Sequence, residues 1–166
     1  MHDCQDLIHI FNHCFAKKYN TRLVKGENEP LYQPANSQCP HHIISFAYGF
    51  FSSALHECSH WLIAGSARRQ QVDYGYWYIP DGRTFAQQQS FQAVEVKPQA
   101  LEWILSNACI YRFQFSIDNL TSSVADTTSF KQAVYQQVLT YYQQGLPKRA
   151  RLFHQALLYY YGLGET

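Results

Sequence analysis

The stretch Leu55–Gly65, LHECSHWLIAG, sets His56 and His60 four residues apart, with Glu57 directly after the first histidine. On a helix, side chains four apart share a face. Both imidazoles can therefore point at one ion, and a first-row metal bound through nitrogen at about 2.0–2.1 Å accepts such a pair without strain. Glu57 lies roughly 100° further round the helix, so it can reach a metal-bound water or a neighbouring group without being a ligand. HExxH leaves two positions free and arises by chance in a chain with eight histidines. The flanks argue against chance. Ala54-Leu55 and Trp61-Leu62-Ile63 enclose the pair, so the helix is expected to be buried, and two neutral imidazoles in a core need partners that a metal supplies.

Two histidines alone hold a metal weakly, so a carboxylate from elsewhere should complete the site. VEVKPQALEW offers Glu95 and Glu102. Glu95 stands between two valines, a setting in which a carboxylate needs a reason to be present. If this stretch is helical, Glu95, Gln99 and Glu102 share one face; if Pro98 opens the helix, Glu95 lies just ahead of it. Glu95 is the preferred third ligand and Glu102 the alternative, with a salt bridge to a basic side chain as the competing role for Glu95. Two histidines and one carboxylate leave coordination positions open. With zinc that is a hydrolytic site with Glu57 as general base; with ferrous iron it is the facial triad of non-haem oxygenases. Spacing does not choose between them.

The remaining histidines point elsewhere. His9 and His13 repeat the four-residue spacing, and Asp6 one turn earlier could join them, but that face is polar and near the chain end, which suits a solvated surface. His41 and His42 are neighbours in an extended stretch and point in opposite directions. His154 reads as a surface or packing residue of a helix.

The elements that must position these residues are legible in outline. Asp3 caps a helix to about Lys18, with Leu7, Phe11 and Cys14 on one stripe. TRLVKGENEPLYQPANSQCP is loop with a short strand, and HIISFAYGF is a buried strand. The histidine helix should run from about Phe51 to Ala64, with Gly65 as its stop and Arg68-Arg69 beyond the negative end of its dipole. VDYGYWYIPDG reads as extended, turning at Pro80-Asp81-Gly82. RTFAQQQSFQAVEV is helical or mixed, and Pro98 starts or kinks a helix ending near Ala108. FQFSI alternates like a half-buried strand. Two last helices cover about Thr128 to Gln144 and Pro147 to Tyr161, stopped by Gly145 and Gly162. The sum is one α+β domain over residues 1–166, helix-rich with a small sheet around a zincin-like HExxH helix.

Bulk composition agrees with a compact protein. The 166 residues suffice for one core without staples. Charged residues are 15% and aromatics 16%, which excludes a disordered chain. A formal net charge of +1 gives no case for non-specific nucleic-acid binding. Five scattered cysteines without a CxxC spacing exclude a disulfide framework and a cysteine-rich zinc site. No signal peptide and no membrane-spanning apolar run is present; a monomer in the cytoplasm is expected, without membrane or direct nucleic-acid contact. Basic clusters at Lys17-Lys18, Arg68-Arg69 and Lys148-Arg149-Ala150-Arg151 are either solvated surface or docking points for an acidic partner.

Four segments in order, NTRLVKGENEPLY, ALHECSHWLIAGSARR, VDYGYWYIPDGR and VEVKPQALEW, make the chain resemble the elongation factor P hydroxylases of bacteria, over about Leu7 to Tyr161. The resemblance implies O2-dependent hydroxylation of a lysine on elongation factor P that already carries a β-lysyl group. It also implies a protease-like HExxH helix turned to oxidation, not the double-stranded β-helix of the 2-oxoglutarate oxygenases. Carried over residue by residue, it makes His56, His60 and Glu95 the metal ligands. Breaking an unactivated C–H bond needs a redox metal, so ferrous iron is the expected ion, although zinc, manganese or cobalt can fill such a site in crystals. No 2-oxoglutarate or nucleotide site is evident, and neither a dinucleotide-binding glycine fingerprint nor cluster-forming cysteines identify an electron source. The long cationic substrate side chain calls for aromatic walls and an acid. Asp73, Tyr74, Tyr76, Trp77, Tyr78 and Asp81 are the candidates, with ordinary sheet core as the other reading of that aromatic stripe. Glu57 would act as a base beside the metal or contact the ammonium. Arg68, Arg69, Lys148, Arg149 and Arg151 would steer the acidic elongation factor. A zinc metallopeptidase on the same ligands, and a metal-stabilised binding module, are the alternatives.

Overall fold

The computed structural model describes residues 1–76, 84–116 and 124–163, with the side chains of 124–126 outside the description. Helix α1 covers Cys4–Phe15. The Asp3 carboxylate accepts from the Gln5 amide at 2.9 Å and caps it, as expected of a short acid ahead of an apolar-periodic run. Leu7, Ile10, Phe11 and Phe15 are its buried face. Three strands follow: β1 (Thr21–Lys25), β2 (Leu31–Gln33) and β3 (His42–Phe46). They form one sheet in the order β1-β3-β2. β1 pairs with β3 in parallel, from Thr21 opposite His42 to Lys25 opposite Phe46, and β2 runs antiparallel to β3 with Tyr32 opposite Ile44. The Thr21–Pro40 stretch thus yields two strands where one was expected. Leu23, Tyr32, Ile44 and Phe46 face inward and are essentially fully buried, the alternation of a sheet covered on one side. That side carries α1 and α2 (Phe51–Ile63).

Trp61 of α2 is the centre of the core. Phe11, Phe15 and Tyr19 pack edge-on to its indole at 4.9–6.0 Å. From the last helix, Arg149 lays its guanidinium 4.4 Å over the ring. Three further helices complete the chain: α3 (Phe85–Ala108), α4 (Val124–Gln144) and α5 (Lys148–Tyr160). α3 packs on α2 and α4, and α5 closes over α1, α2 and α3. Gly145 and Gly162 stop α4 and α5 at φ +87° and +81°, a conformation glycine adopts without penalty. The five cysteines are all free thiols.

Four local expectations are corrected. Pro98 does not start a helix: α3 runs 24 residues through it, from a capping box at Thr84 and Gln87. Burial of Pro98 and the packing of α3 on both α2 and α4 hold the helix where propensity would break it. Gly65 is not a left-handed stop for α2. Instead Arg69 and Arg149 both donate to the Ala64 carbonyl, at 2.5 and 2.6 Å, and satisfy the helix end with charge. The segment beginning at Val72 is not extended. Val72–Gly75 is a tight turn with Asp73 and Tyr74 at φ +49° and +61°. The Asp73 carboxylate accepts from the Tyr32 amide at 2.8 Å, and the Tyr74 ring stacks on Tyr32 at 4.4 Å, so tertiary contacts overrule β-propensity. Residues Tyr111–Ser116 form no strand. The Gln99 side-chain amide replaces a neighbouring strand, donating to the Ser116 carbonyl at 2.6 Å and accepting from its amide at 3.1 Å. The turn expected at Pro80-Asp81-Gly82, and Ile117 of FQFSI, lie outside the described residues.

Candidate metal centre

Two packed helices build the cluster. On α2 the Nε2 atoms of His56 and His60 approach to 3.3 Å. Across from them α3 places the Glu95 carboxylate, with Oε1 3.0 Å from His60 Nε2 and Oε2 3.4 Å from His56 Nε2. Two donors each about 2.0–2.1 Å from one ion stand roughly 2.9–3.4 Å apart at octahedral or tetrahedral angles. The separation of the two nitrogens, and that of each nitrogen from its own nearer oxygen of Glu95, fall in that interval. Among the described residues, this is the one group of three or more His, Cys, Asp or Glu side chains whose donor atoms lie within 4.8 Å of one another. Two imidazole nitrogens and a carboxylate oxygen suit iron, zinc or cobalt better than a soft monovalent ion. Cys58 lies between the histidines in sequence but is fully buried, and burial pushes its thiol well above the ordinary range, so it offers no thiolate.

The electrostatics favour a cation. Burial alone would lower the His56 imidazolium, yet the carboxylates of Glu95 and Glu102 overcome that and hold it up at about 10. Burial would raise Glu95, but His60 and His56 draw it down to about 2. Without an ion the cluster is therefore a buried pairing of imidazolium with carboxylate. The negative potential that retains the proton on His56 would equally favour a divalent ion. Glu57 behaves differently. Burial lifts its carboxyl above the usual range, His56 and His60 pull it down, and Glu95 and Asp73 push it up again.

Glu102, the alternative third ligand, is not part of the cluster. Its Oε1 lies 2.6 Å from Nδ1 of His56, the ring nitrogen not shared with His60 and Glu95. Gln99 stands between the two acids on α3 and donates to Glu95 Oε2 at 3.3 Å. The expected common face of Glu95, Gln99 and Glu102 is realised because the helix continues through Pro98. A cavity of about 570 Å³ opens beside His60, walled by Ile63, Val94, Val96 and Pro98 and bordered by Arg68, Tyr76 and Lys97.

A profile of the elongation factor P hydroxylase family matches residues 10–166. The chain belongs to the elongation factor P hydroxylase family. It is 56% identical, over 160 residues, to a Haemophilus influenzae protein named elongation factor P lysine hydroxylase, and the match covers 96% of this chain and 90% of that protein.

In this member of the family the other candidate residues are dispersed. Tyr76 lines the cavity beside His60, under the Arg68 guanidinium at 4.3 Å. Asp73 holds the turn through Tyr32 and does not line that cavity. Trp77, Tyr78 and Asp81 lie outside the described residues. Of the basic candidates, Arg68, Lys148 and Arg151 are exposed, whereas Arg69 and Arg149 turn inward to cap α2. Tyr74, one of the aromatic candidates, is placed in a way the sequence does not announce. Its ring lies nearly parallel to His60, 15° off with centroids 6.1 Å apart, and it is 4% exposed. Nothing in VDYG signals this, because it depends on a left-handed backbone at a bulky residue.

Proposed function

We propose that the chain is a metal-dependent hydroxylase that adds one oxygen to a lysine side chain of elongation factor P, at the lysine already extended by a β-lysyl group. The observation that carries this is the convergence of His56, His60 and Glu95 on one point in a chain of that family. Ferrous iron is the proposed ion, because a redox-active metal supplies the dioxygen activation that an unactivated C–H bond requires and zinc does not. His56, His60 and Glu95 are the three protein ligands, fixed by the packing of α2 on α3. The apolar wall of Ile63, Val94, Val96 and Pro98 excludes water and packs the methylenes of a long side chain. Glu57, lifted by burial, takes or holds a proton beside the reacting centre. Arg68, Lys148 and Arg151 give the exposed surface a positive character that suits an acidic protein. The proposed setting is the cytoplasm, and among the described residues no helix is long and apolar enough to cross a membrane.

The test is mass spectrometry of β-lysylated elongation factor P after incubation with the protein, ferrous iron, a reductant and oxygen. A gain of one oxygen on the modified lysine is expected. Cleaved peptide bonds would favour a zinc peptidase on the same ligands, and an unchanged factor in a measurable complex would favour a binding module. Glu57→Gln should slow either enzyme, a peptidase by about 10²–10⁴-fold, so the product formed, an added oxygen or a cleaved bond, separates the first two readings.

A further inference from the structure

His56 and His60 are one helical turn apart on α2, yet their surroundings differ. His56 has a carboxylate at each ring nitrogen: Glu95 near Nε2 and Glu102 at 2.6 Å from Nδ1. Among the described residues, the polar contacts of His60 all run through Nε2, to Glu95 at 3.0 Å and to His56 at 3.3 Å. Its ring also lies nearly parallel to Tyr74 and edge-on to His56.

We propose that Glu102 is a positioning residue that fixes His56 with its proton on Nδ1 and its Nε2 lone pair toward the ion, making His56 the preset arm of the site and His60 the adjustable one. This rests on the reading of His56, His60 and Glu95 as metal ligands. An ionised carboxylate only accepts hydrogen bonds, so a 2.6 Å contact to Nδ1 requires the proton there. An ion that displaced the second proton of His56 would meet a neutral ring whose one remaining N–H is held at Nδ1, with Nε2 free to ligate. Glu102 is 2% exposed, and no Lys or Arg among the described residues pairs with it. Such a buried acid is costly unless its contact with His56 matters. Its place on α3 matters too. Glu95 and Glu102 are two helical turns apart on one rigid rod, so the packing of α3 on α2 sets the ligand and the orienting acid in a single step. An ion at the three donors would replace the contacts of Glu95 with both histidines, whereas the contact of Glu102 at Nδ1, on the other side of the His56 ring, would stay.

The test uses cobalt(II) as the probe, with the full chain. Cobalt affinity and the paramagnetically shifted, solvent-exchangeable imidazole N–H signals are measured for the native protein, His56→Ala, Glu102→Gln and Glu102→Ala. Circular dichroism of each metal-free variant reports the fold. The native protein should show one protected N–H signal, from His56. Glu102→Gln keeps an acceptor oxygen and should retain that signal with affinity within about tenfold of native. Glu102→Ala should lose the signal and bind cobalt about 10–100-fold more weakly. If His56→Ala abolishes binding while Glu102→Ala binds with native affinity and keeps the protected signal, the positioning role is wrong and the ligand set stands. If cobalt binding ignores His56→Ala, the ligand set itself is wrong and this inference goes with it.

Discussion

Two pairs of histidines in this chain have identical helical spacing, and only one becomes a site. His56 and His60 project from a buried helix toward a second helix that carries Glu95 at their level. His9 and His13 project from α1 into an open groove against α5, where they meet Leu152, Tyr159 and Tyr160. Both are exposed, and Asp6, the acid that could have joined them, forms no three-donor cluster with them among the described residues. The difference teaches that spacing gives a helix only the capacity to chelate. A site needs a third donor from another element and enough burial that the imidazoles cannot be satisfied by water.

The largest effect that would sharpen this contrast is loss of activity. His60→Ala or Glu95→Ala should lower hydroxylation of elongation factor P by more than about 100-fold, since two donors hold a divalent ion poorly. His9→Ala and His13→Ala should stay near native in the same mass-spectrometric assay. Equal losses from both pairs would break the comparison. Next comes pH. In chelator, His56 held up at about 10 against an ordinary 6.5 stabilises the fold fully below 6.5, and that contribution fades as pH rises through 10. Glu95, held near 2 against an ordinary 4.5, stabilises above 4.5 and fades as pH falls toward 2. The metal-free protein should therefore show its highest thermal midpoint between these ordinary values, and His56→Ala should flatten the alkaline side. His9→Ala should leave the profile as it is.

Smaller effects test the supports. Arg149→Ala removes a guanidinium from both the Trp61 face and the Ala64 carbonyl. It should cost about 2 kcal/mol of stability in urea unfolding, whereas Arg151→Ala, two positions on and exposed, should leave stability alone and weaken binding of an acidic partner. The smallest effect expected is that of Asp3→Ala, about 1 kcal/mol from the lost cap on α1, with metal binding unaffected because α1 contributes no ligand.

The helices, the buried β3 strand and the two histidines were legible because each has a periodic or spacing signature that local physics enforces. Glu95 was legible as an acid flanked by valines. What was hidden depended on partners distant in the chain. The role of Glu102 is set by where α2 lies against α3, not by its neighbours in sequence. Pro98 misled because propensity treats an isolated helix, and this one is held from two sides. The aromatic run at Val72 suggested a strand, but Asp73 and Tyr74 are drawn into a left-handed turn by Tyr32, forty-odd residues earlier. Arg69 and Arg149 had the composition of a docking patch and the geometry of a helix cap.

The central claim is that His56, His60 and Glu95 grip a single ion. The most direct test is anomalous diffraction from iron-loaded crystals, collected on both sides of the iron edge. The ligand set predicts one strong peak bounded by the two Nε2 atoms and the Glu95 carboxylate, with Glu102 still on Nδ1 of His56. A peak between His9 and His13, or an ion bound with Glu95 turned away, would contradict it.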